Sequence, residues 1–151
     1  MPKLELCRSA LKCGTPVRLL VTGTSMIPAL WPGDRVTVHP ATTDELRTGD
    51  VAVFARDGQV IVHRIVGVRW AANLPVWTTR GDNQGHDDLP LRDDELLGVV
   101  TGFQRFGIDR AMAERPTHFA RSLSRLMRHS GFARVVINMI HARFVDWLPS
   151  R

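Results

Sequence analysis

The stretch Val51-Ala-Val-Phe-Ala-Arg56-Asp-Gly-Gln59-Val-Ile-Val-His-Arg-Ile-Val-Gly-Val-Arg69 decides the fold. Its two apolar runs, 51–55 and 59–69, flank Arg56-Asp57-Gly58. Residues such as valine and isoleucine favour strands, and an Asp-Gly pair favours the tight turn that joins two of them. The stretch therefore predicts an antiparallel β-hairpin.

Further apolar runs lie on both sides of this hairpin, and turn-forming residues separate them. The additional predicted strands are 17–21, 35–39, 76–79 and 97–103. The order of these segments shows neither an internal repeat nor the alternation of strands with helices that parallel sheets require. The sequence therefore predicts a mainly β fold built from antiparallel strands, preceded by a short helix over 4–12.

Three parts are predicted along the 151 residues. They are an N-terminal helix over 1–14, a β domain over 15–108 and a basic amphipathic helical tail over 109–151. The chain carries a net charge of +5, and its last 42 residues contain eight arginines against Glu114 and Asp146. Any argument for an acidic partner must therefore rest on the tail.

The tail predicts two amphipathic helices within 117–148. Phe119, Leu123 and Leu126 fall on one helical face, whereas Arg121 and Arg125 fall on the opposite one. Such a helix could lie on an anionic membrane surface, or its apolar face could pack against the β domain with the arginines in solvent. Nucleic acid is not a favoured partner, because no aromatic platform or recognition helix accompanies the arginines.

The composition limits the location of the protein. No run approaches the roughly 20 apolar residues of a membrane span, and residues 1–14 lack the apolar core of a secretion signal. Cys7 and Cys13 would lie on different faces of a helix, which does not favour a disulfide. We expect a cytoplasmic or peripherally membrane-associated protein.

Gly23-Thr24-Ser25-Met26-Ile27-Pro28 follows the first predicted strand and provides a candidate nucleophile. We expect Gly23 to adopt a backbone conformation that other residues avoid, and Pro28 to limit any helix to about one turn. Ser25 could serve only as a cap of this turn. A catalytic Ser25 would need a neighbouring base to take its proton.

His63 is the candidate base. It shares one strand face with Ile61 and Ile65, so it could equally be a core histidine that makes a single hydrogen bond. Near neutral pH, an imidazole can accept a serine proton and return it to a leaving amine.

A polar loop over 80–88 provides three carboxylates, on Asp82, Asp87 and Asp88. They could be solvated turn residues, could bind a cation together with His86, or could orient an imidazole. The spacing matches neither a calcium-binding loop nor a zinc cluster, so no metal is predicted. No cofactor is predicted either.

Four ordered segments resemble the boxes of the type I signal peptidase superfamily. They are residues 23–30, 47–54, 62–67 and 80–83 with Asp87-Asp88. The resemblance covers roughly residues 17–103 and implies coiled antiparallel β-ribbons and a serine endopeptidase that removes leader peptides after small residues. His63-Arg64 is similar to the endoplasmic-reticulum and archaeal form, whereas the bacterial housekeeping enzymes and the self-cleaving repressors have lysine as the base.

The resemblance assigns roles to individual residues. It implies Ser25 as nucleophile, His63 as base, and Asp82 and Asp88 as supporting acids, with Asp88 the better match for the acid that orients the imidazole and Asp87 the second choice. Met26 matches the residue that helps to shape the substrate pocket. The implied partner is a peptide or preprotein substrate.

Two other functions remain open from the sequence. One is an inactive module of the same fold that holds an extended peptide as an added strand. The other is a self-cleaving regulator. A distance between Ser25 and His63 far beyond hydrogen-bond reach would favour the binding module.

Overall fold

A computed structural model describes residues 2–112. In this range the chain forms one helix and seven strands. They are α1 (Pro2–Lys12), β1 (Val17–Leu20), β2 (Arg35–His39), β3 (Val51–Arg56), β4 (Gln59–Ala71), β5 (Leu74–Arg80), β6 (Leu96–Arg105) and β7 (Ile108–Ala111).

The seven strands form one antiparallel sheet with the order β1-β2-β6-β3-β4-β5, and β7 pairs with β6. The predicted mainly β, antiparallel fold is confirmed. Strand β6 lies between β2 and β3, although it follows both in the chain. The helices predicted within 117–148 lie outside the described residues and stay a prediction.

The predicted hairpin is formed by β3 and β4. Asp57 and Gly58 make the turn, with φ angles of 52° and 76°. Two consecutive positive φ angles characterise the tight turn whose twist matches that of paired strands. The pairing runs from Arg56 with Gln59 to Val51 with Arg64, and it places His63 opposite Ala52.

Strand β3 is buried on both faces because it separates two apolar clusters. Val51 and Val53 contribute to a cluster that α1, β1, β2 and β6 also line. Ala52 and Phe54 point to the other side, into a smaller cluster with Ile65 and Trp77. Residues that pair directly across two strands share a face, so His63 lies on the side of the smaller cluster.

Strand β7 was not predicted. Phe106 and Gly107 form a turn with φ angles of 53° and 78°, and β7 then returns along β6. Its four residues are all exposed, which removes the alternation of apolar and polar residues that identifies a strand. It extends across the predicted boundary at residue 108. Within residues 2–112, no helix combines the length and the apolar character that crossing a bilayer requires.

Candidate active site

Ser25 lies in a turn that follows β1. The Leu30 N–H donates to the Met26 carbonyl over 3.0 Å, and the Trp31 indole N–H donates to the Pro28 carbonyl over 2.9 Å. The peptide bond before Pro28 is cis. The turn contains no α-helix, in agreement with the limit that Pro28 was expected to impose.

The expectation for Gly23 is wrong. Its φ angle lies outside the left-handed region, and a Cβ atom at this position would meet no atom within 4 Å. Neither backbone conformation nor crowding therefore requires glycine at residue 23.

An ion pair with a buried carboxylate fixes the far end of the turn. The Asp34 side chain is 3% exposed and accepts two hydrogen bonds from Arg105, of 2.8 and 2.6 Å, and a third from the Trp31 backbone N–H. Arg105 also donates to the Ala29 carbonyl over 3.2 Å. Strand β6 thereby holds the segment that follows Ser25.

The first residues of the 80–88 loop hold Ser25 from the other side. The Asn83 backbone N–H donates to the Ser25 carbonyl over 2.7 Å. A Cβ atom at Gly81 would lie only 2.8 Å from the Ser25 carbonyl oxygen and 2.9 Å from its Cβ. Glycine is therefore required at residue 81 for the loop to approach the turn that contains Ser25 this closely.

His63 connects Ser25 to Asp88. Its Nε2 lies 3.0 Å from Ser25 Oγ, and its Nδ1 lies 2.6 Å from Asp88 Oδ2. The imidazole is buried, and it packs against the Phe54 ring in a T-shaped arrangement with the ring centroids 6.2 Å apart. The candidate nucleophile and the candidate base are thus within hydrogen-bond reach of each other.

The surroundings of Asp88 determine which ring nitrogen of His63 carries the proton. Burial raises the pKa of Asp88, but hydrogen bonds from His63 and from the Thr79 hydroxyl, at 2.7 Å, outweigh burial, and the pKa is lowered. An ionised carboxylate only accepts hydrogen bonds, so His63 Nδ1–H donates to Asp88. His63 Nε2 is then free to accept the hydrogen bond from Ser25.

The other two carboxylates of the loop have different partners. Asp82 accepts two hydrogen bonds of 2.9 Å from Arg64, which also donates to the Gly49 carbonyl. Asp87 is half-exposed and pairs with Arg80 over 3.0 Å. In the described part of the chain, Asp88 is thus the one member of the three that contacts the imidazole.

Met26 lies in the larger apolar cluster with 2% of its surface exposed, so little of its side chain is open to a substrate. Its predicted contribution to the pocket is untested. Residues 2–112 contain no group of three or more histidine, cysteine or acidic side chains arranged to bind a metal ion.

Several residues that support the site were not predicted in that role, among them Arg64, Thr79 and Asn83. Arg64 carried a usable signal, because a charge on a strand face between Val62 and Val66 requires a counterion. No sequence pattern indicated a role for the Thr79 hydroxyl at the end of a strand or for the Asn83 backbone N–H, because the tertiary fold sets their partners.

A serine beside a strand histidine and a loop carboxylate, here on an antiparallel β scaffold, has the geometry of a Ser-His-Asp triad. The family model described as Peptidase S24-like matches residues 11–100, and the chain belongs to this family. The match includes Ser25, His63, Asp82 and Asp88. It supports the resemblance to the signal peptidase superfamily.

Individual relatives agree with this assignment. Signal peptidase I W of Bacillus subtilis is 33% identical over 94 residues, which cover 60% of this chain and 49% of the relative. The signal peptidase complex catalytic subunit SEC11C of Homo sapiens is 30% identical over 100 residues, covering 59% and 52%. The SEC11 subunit of Candida albicans is 29% identical over 103 residues, covering 61% of each chain. The match thus spans about half to three-fifths of these relatives.

Proposed function

We propose that the chain is a serine endopeptidase of the signal-peptidase type that cleaves a leader or signal peptide after a small residue. Ser25 is the nucleophile, His63 is the base, and Asp88 orients the imidazole. Asp82 supports the site indirectly through Arg64. The observation that carries the proposal is the continuous hydrogen-bonded path from Ser25 Oγ through both ring nitrogens of His63 to Asp88.

The path supports a two-step mechanism. Ser25 Oγ attacks the scissile carbonyl carbon while His63 Nε2 takes the hydroxyl proton, and Asp88 stabilises the imidazolium. His63 then donates this proton to the leaving amine as the C–N bond breaks, which leaves an ester on Ser25. A water molecule then gives a proton to His63 and attacks the ester carbonyl carbon. The bond from this carbon to Ser25 Oγ breaks, the peptide leaves with a new carboxyl group, and the proton from His63 regenerates the Ser25 hydroxyl.

The negative charge that develops on the carbonyl oxygen requires a hydrogen-bond donor. The Ser25 backbone N–H is the proposed donor, and loss of such a donor typically costs about 10²–10³ in rate. Some bacterial signal peptidases have a serine hydroxyl at the position of Gly23. Glycine supplies no such group here.

The sheet also offers a place for an extended substrate. Strand β5 pairs with β4 only from Arg64 onward, and residues 59–63 pair with β3 on one side. Within residues 2–112, no strand pairs with 59–63 on the other side. An extended peptide could add there as a strand and run toward Ser25 and His63.

The experiment is incubation of the purified chain with peptides that have small residues before the cut, read by mass spectrometry. Ser25→Ala and His63→Ala are compared with the unaltered chain. We expect cleavage by the unaltered chain and its loss in both variants. Peptide binding without cleavage would support the binding module instead, and specific cleavage of the chain itself would support the self-cleaving regulator.

Anionic vesicles provide a second arm of the experiment. If the segment 117–148 binds a membrane surface, vesicles with anionic headgroups will raise the cleavage rate and neutral vesicles will not. Equal rates in both preparations would argue against a membrane role for the tail.

A further inference from the structure

Arg56 makes a set of contacts that the proposed mechanism leaves unexplained. It is the last residue of β3, and its guanidinium forms a two-pronged ion pair with Glu95, with distances of 2.8 and 2.6 Å. The same guanidinium also donates to the carbonyls of Leu89 and Pro90, over 3.3 and 3.1 Å. Both carbonyls belong to the segment that begins at Asp88.

This segment has two different supports. On one side, the Asp88 N–H donates to the Thr79 carbonyl, and the Leu91 N–H donates to the Trp77 carbonyl, each over 2.9 Å. Between these two bonds lies Pro90, which has no N–H to donate. Arg56 holds this middle part from the other side through the carbonyls, and only a guanidinium has enough donors to hold them and Glu95 at once.

Arg56 also acts on the Asp88–His63 pair through charge and packing. Its positive charge is one of the influences that lower the pKa of Asp88. Its guanidinium lies 5.2 Å from the centre of the Phe54 ring, and that ring packs against the His63 imidazole in a T-shaped arrangement. Arg56 thus acts on Asp88 through the backbone of residues 89–90, and it acts on His63 through the Phe54 ring.

We propose that Arg56 is a positioning residue that holds Asp88 in hydrogen-bond contact with His63. The inference rests on the proposed function, since the Asp88–His63 contact matters for a serine peptidase. Without Arg56, residues 89–90 lose their support on one side, and among the described residues Asp88 keeps its bonds to Thr79 and His63. The imidazole then loses part of its orientation.

The kinetic test compares Arg56→Gln with Arg92→Gln. Both variants replace one arginine by glutamine, but the Arg92 side chain is exposed and, within residues 2–112, its guanidinium pairs with Asp94. The Arg92 backbone N–H, which donates to Glu95, is kept in Arg92→Gln. We expect Arg56→Gln to lower kcat by about 10–100-fold with KM nearly unchanged, because displaced catalytic groups cost up to about 10²-fold. Arg56→Lys keeps the charge without the planar fork, so its kcat should be intermediate. Equal kcat values for Arg56→Gln and Arg92→Gln would overturn the inference.

A double-mutant cycle separates positioning from general damage. If Arg56 acts through Asp88, Arg56→Gln will have little further effect in an Asp88→Asn background. An undiminished loss in that background would contradict the inference. Should Arg56→Gln not fold because Glu95 lacks its partner, Arg56→Gln combined with Glu95→Gln removes the unpaired charge and enters the same cycle.

A spectroscopic measurement keeps the inference testable even if the chain cleaves no peptide. A short hydrogen bond from His63 Nδ1–H to Asp88 should give a far-downfield proton NMR signal. We expect this signal to move upfield in Arg56→Gln and to stay in place in Arg92→Gln. Absence of cleavage by the unaltered chain would reject the proposed function alone, whereas an unchanged signal in Arg56→Gln would reject the role of Arg56.

Discussion

The two halves of the 80–88 loop support different members of the candidate site. The first half contacts Ser25, through the close approach of Gly81 and the Asn83 N–H, and is held by the Asp82–Arg64 ion pair. The second half contacts His63 through Asp88. His63 and Arg64 are consecutive on β4, so their side chains point to opposite faces of the strand. His63 contacts Asp88 in the second half of the loop, and Arg64 contacts Asp82 in the first half.

The difference lies in what each carboxylate contacts. Asp82 pairs with an arginine, which is charged at every working pH, so the first half of the loop is fixed in place. Asp88 pairs with an imidazole, which gains and loses a proton during the proposed reaction. The same residue type thus stabilises structure in one half and, in the proposed mechanism, proton transfer in the other.

Asp88→Asn should disrupt the second half of the loop, and we expect it to have the largest effect of these substitutions. An asparagine can donate to Nδ1 and favour the wrong tautomer, and loss of the corresponding carboxylate in serine proteases lowers kcat by about 10⁴-fold. We expect a fall of about 10³–10⁴-fold in kcat, measured in steady-state peptide cleavage. Asp87→Asn is the control because its carboxylate pairs with Arg80 at the surface. Similar losses in the two variants would remove the distinction between Asp87 and Asp88.

Asp82→Asn should disrupt the first half of the loop and thereby lower the stability of the fold. The Arg64 and Asp82 side chains are both largely buried, and removal of one member of such a pair leaves an uncompensated charge. We expect the free energy of unfolding to fall by about 3 kcal/mol, measured by urea denaturation. Asp94→Asn, which removes an acid from an exposed pair with Arg92, should change it little. If Asp94→Asn costs as much as Asp82→Asn, burial does not decide the strength of this pair.

Gly81→Ala should test the positioning of Ser25 by the loop separately from the stability of the fold. The added methyl group would meet the Ser25 carbonyl and Cβ, so the loop or the Ser25 turn must move. We expect kcat to fall by about 10²-fold, as for a displaced catalytic group. Gly85→Ala adds the same methyl group where no atom lies within 4 Å, and its kcat should match that of the unaltered chain. A fully active Gly81→Ala variant would show that the close approach does not position Ser25.

The smallest expected effect is on the acid dependence of stability. The pKa of Asp88 is lowered in the folded chain, so near pH 4, the ordinary range of aspartate, the unfolded chain binds more protons. Stability from Asp88 is therefore present above about pH 4 and is lost as the pH falls through the lower folded value. We expect Asp88→Asn to show a shallower decline of the free energy of unfolding below pH 4. Parallel curves for Asp88→Asn and the unaltered chain would contradict this.

Much of the fold followed from local pattern. The Asp57-Gly58 turn and the apolar runs around it predicted β3 and β4, because strand propensity and turn chemistry agree there. The position of β6 between β2 and β3 could not be predicted in the same way, since pairing between distant strands leaves no mark on the periodicity of either. β7 was missed because all its residues face solvent.

The site was predicted from resemblance more than from pattern. Ser25 and His63 each had an ordinary structural explanation, and only their place in ordered boxes linked them. Sequence left Asp82, Asp87 and Asp88 open as partners of His63, and the structure distinguishes them by contact. The isolated charge on an apolar strand face could have predicted that Arg64 pairs with an acid such as Asp82. The close approach of Gly81 to Ser25 depends on the tertiary fold and could not be predicted from the sequence.

The side of residues 59–63 that pairs with no strand within residues 2–112 has a consequence for handling the protein. A strand edge with unpaired backbone groups can pair with a second copy of the same strand, which promotes aggregation at high concentration. The exposed side chain of Val60 adds apolar surface to this edge, which favours such pairing. The edge is about five residues long. A charged residue at position 60, as in Val60→Lys, should therefore lower the light scattering of concentrated samples. A saturating peptide ligand should do the same by occupying the edge.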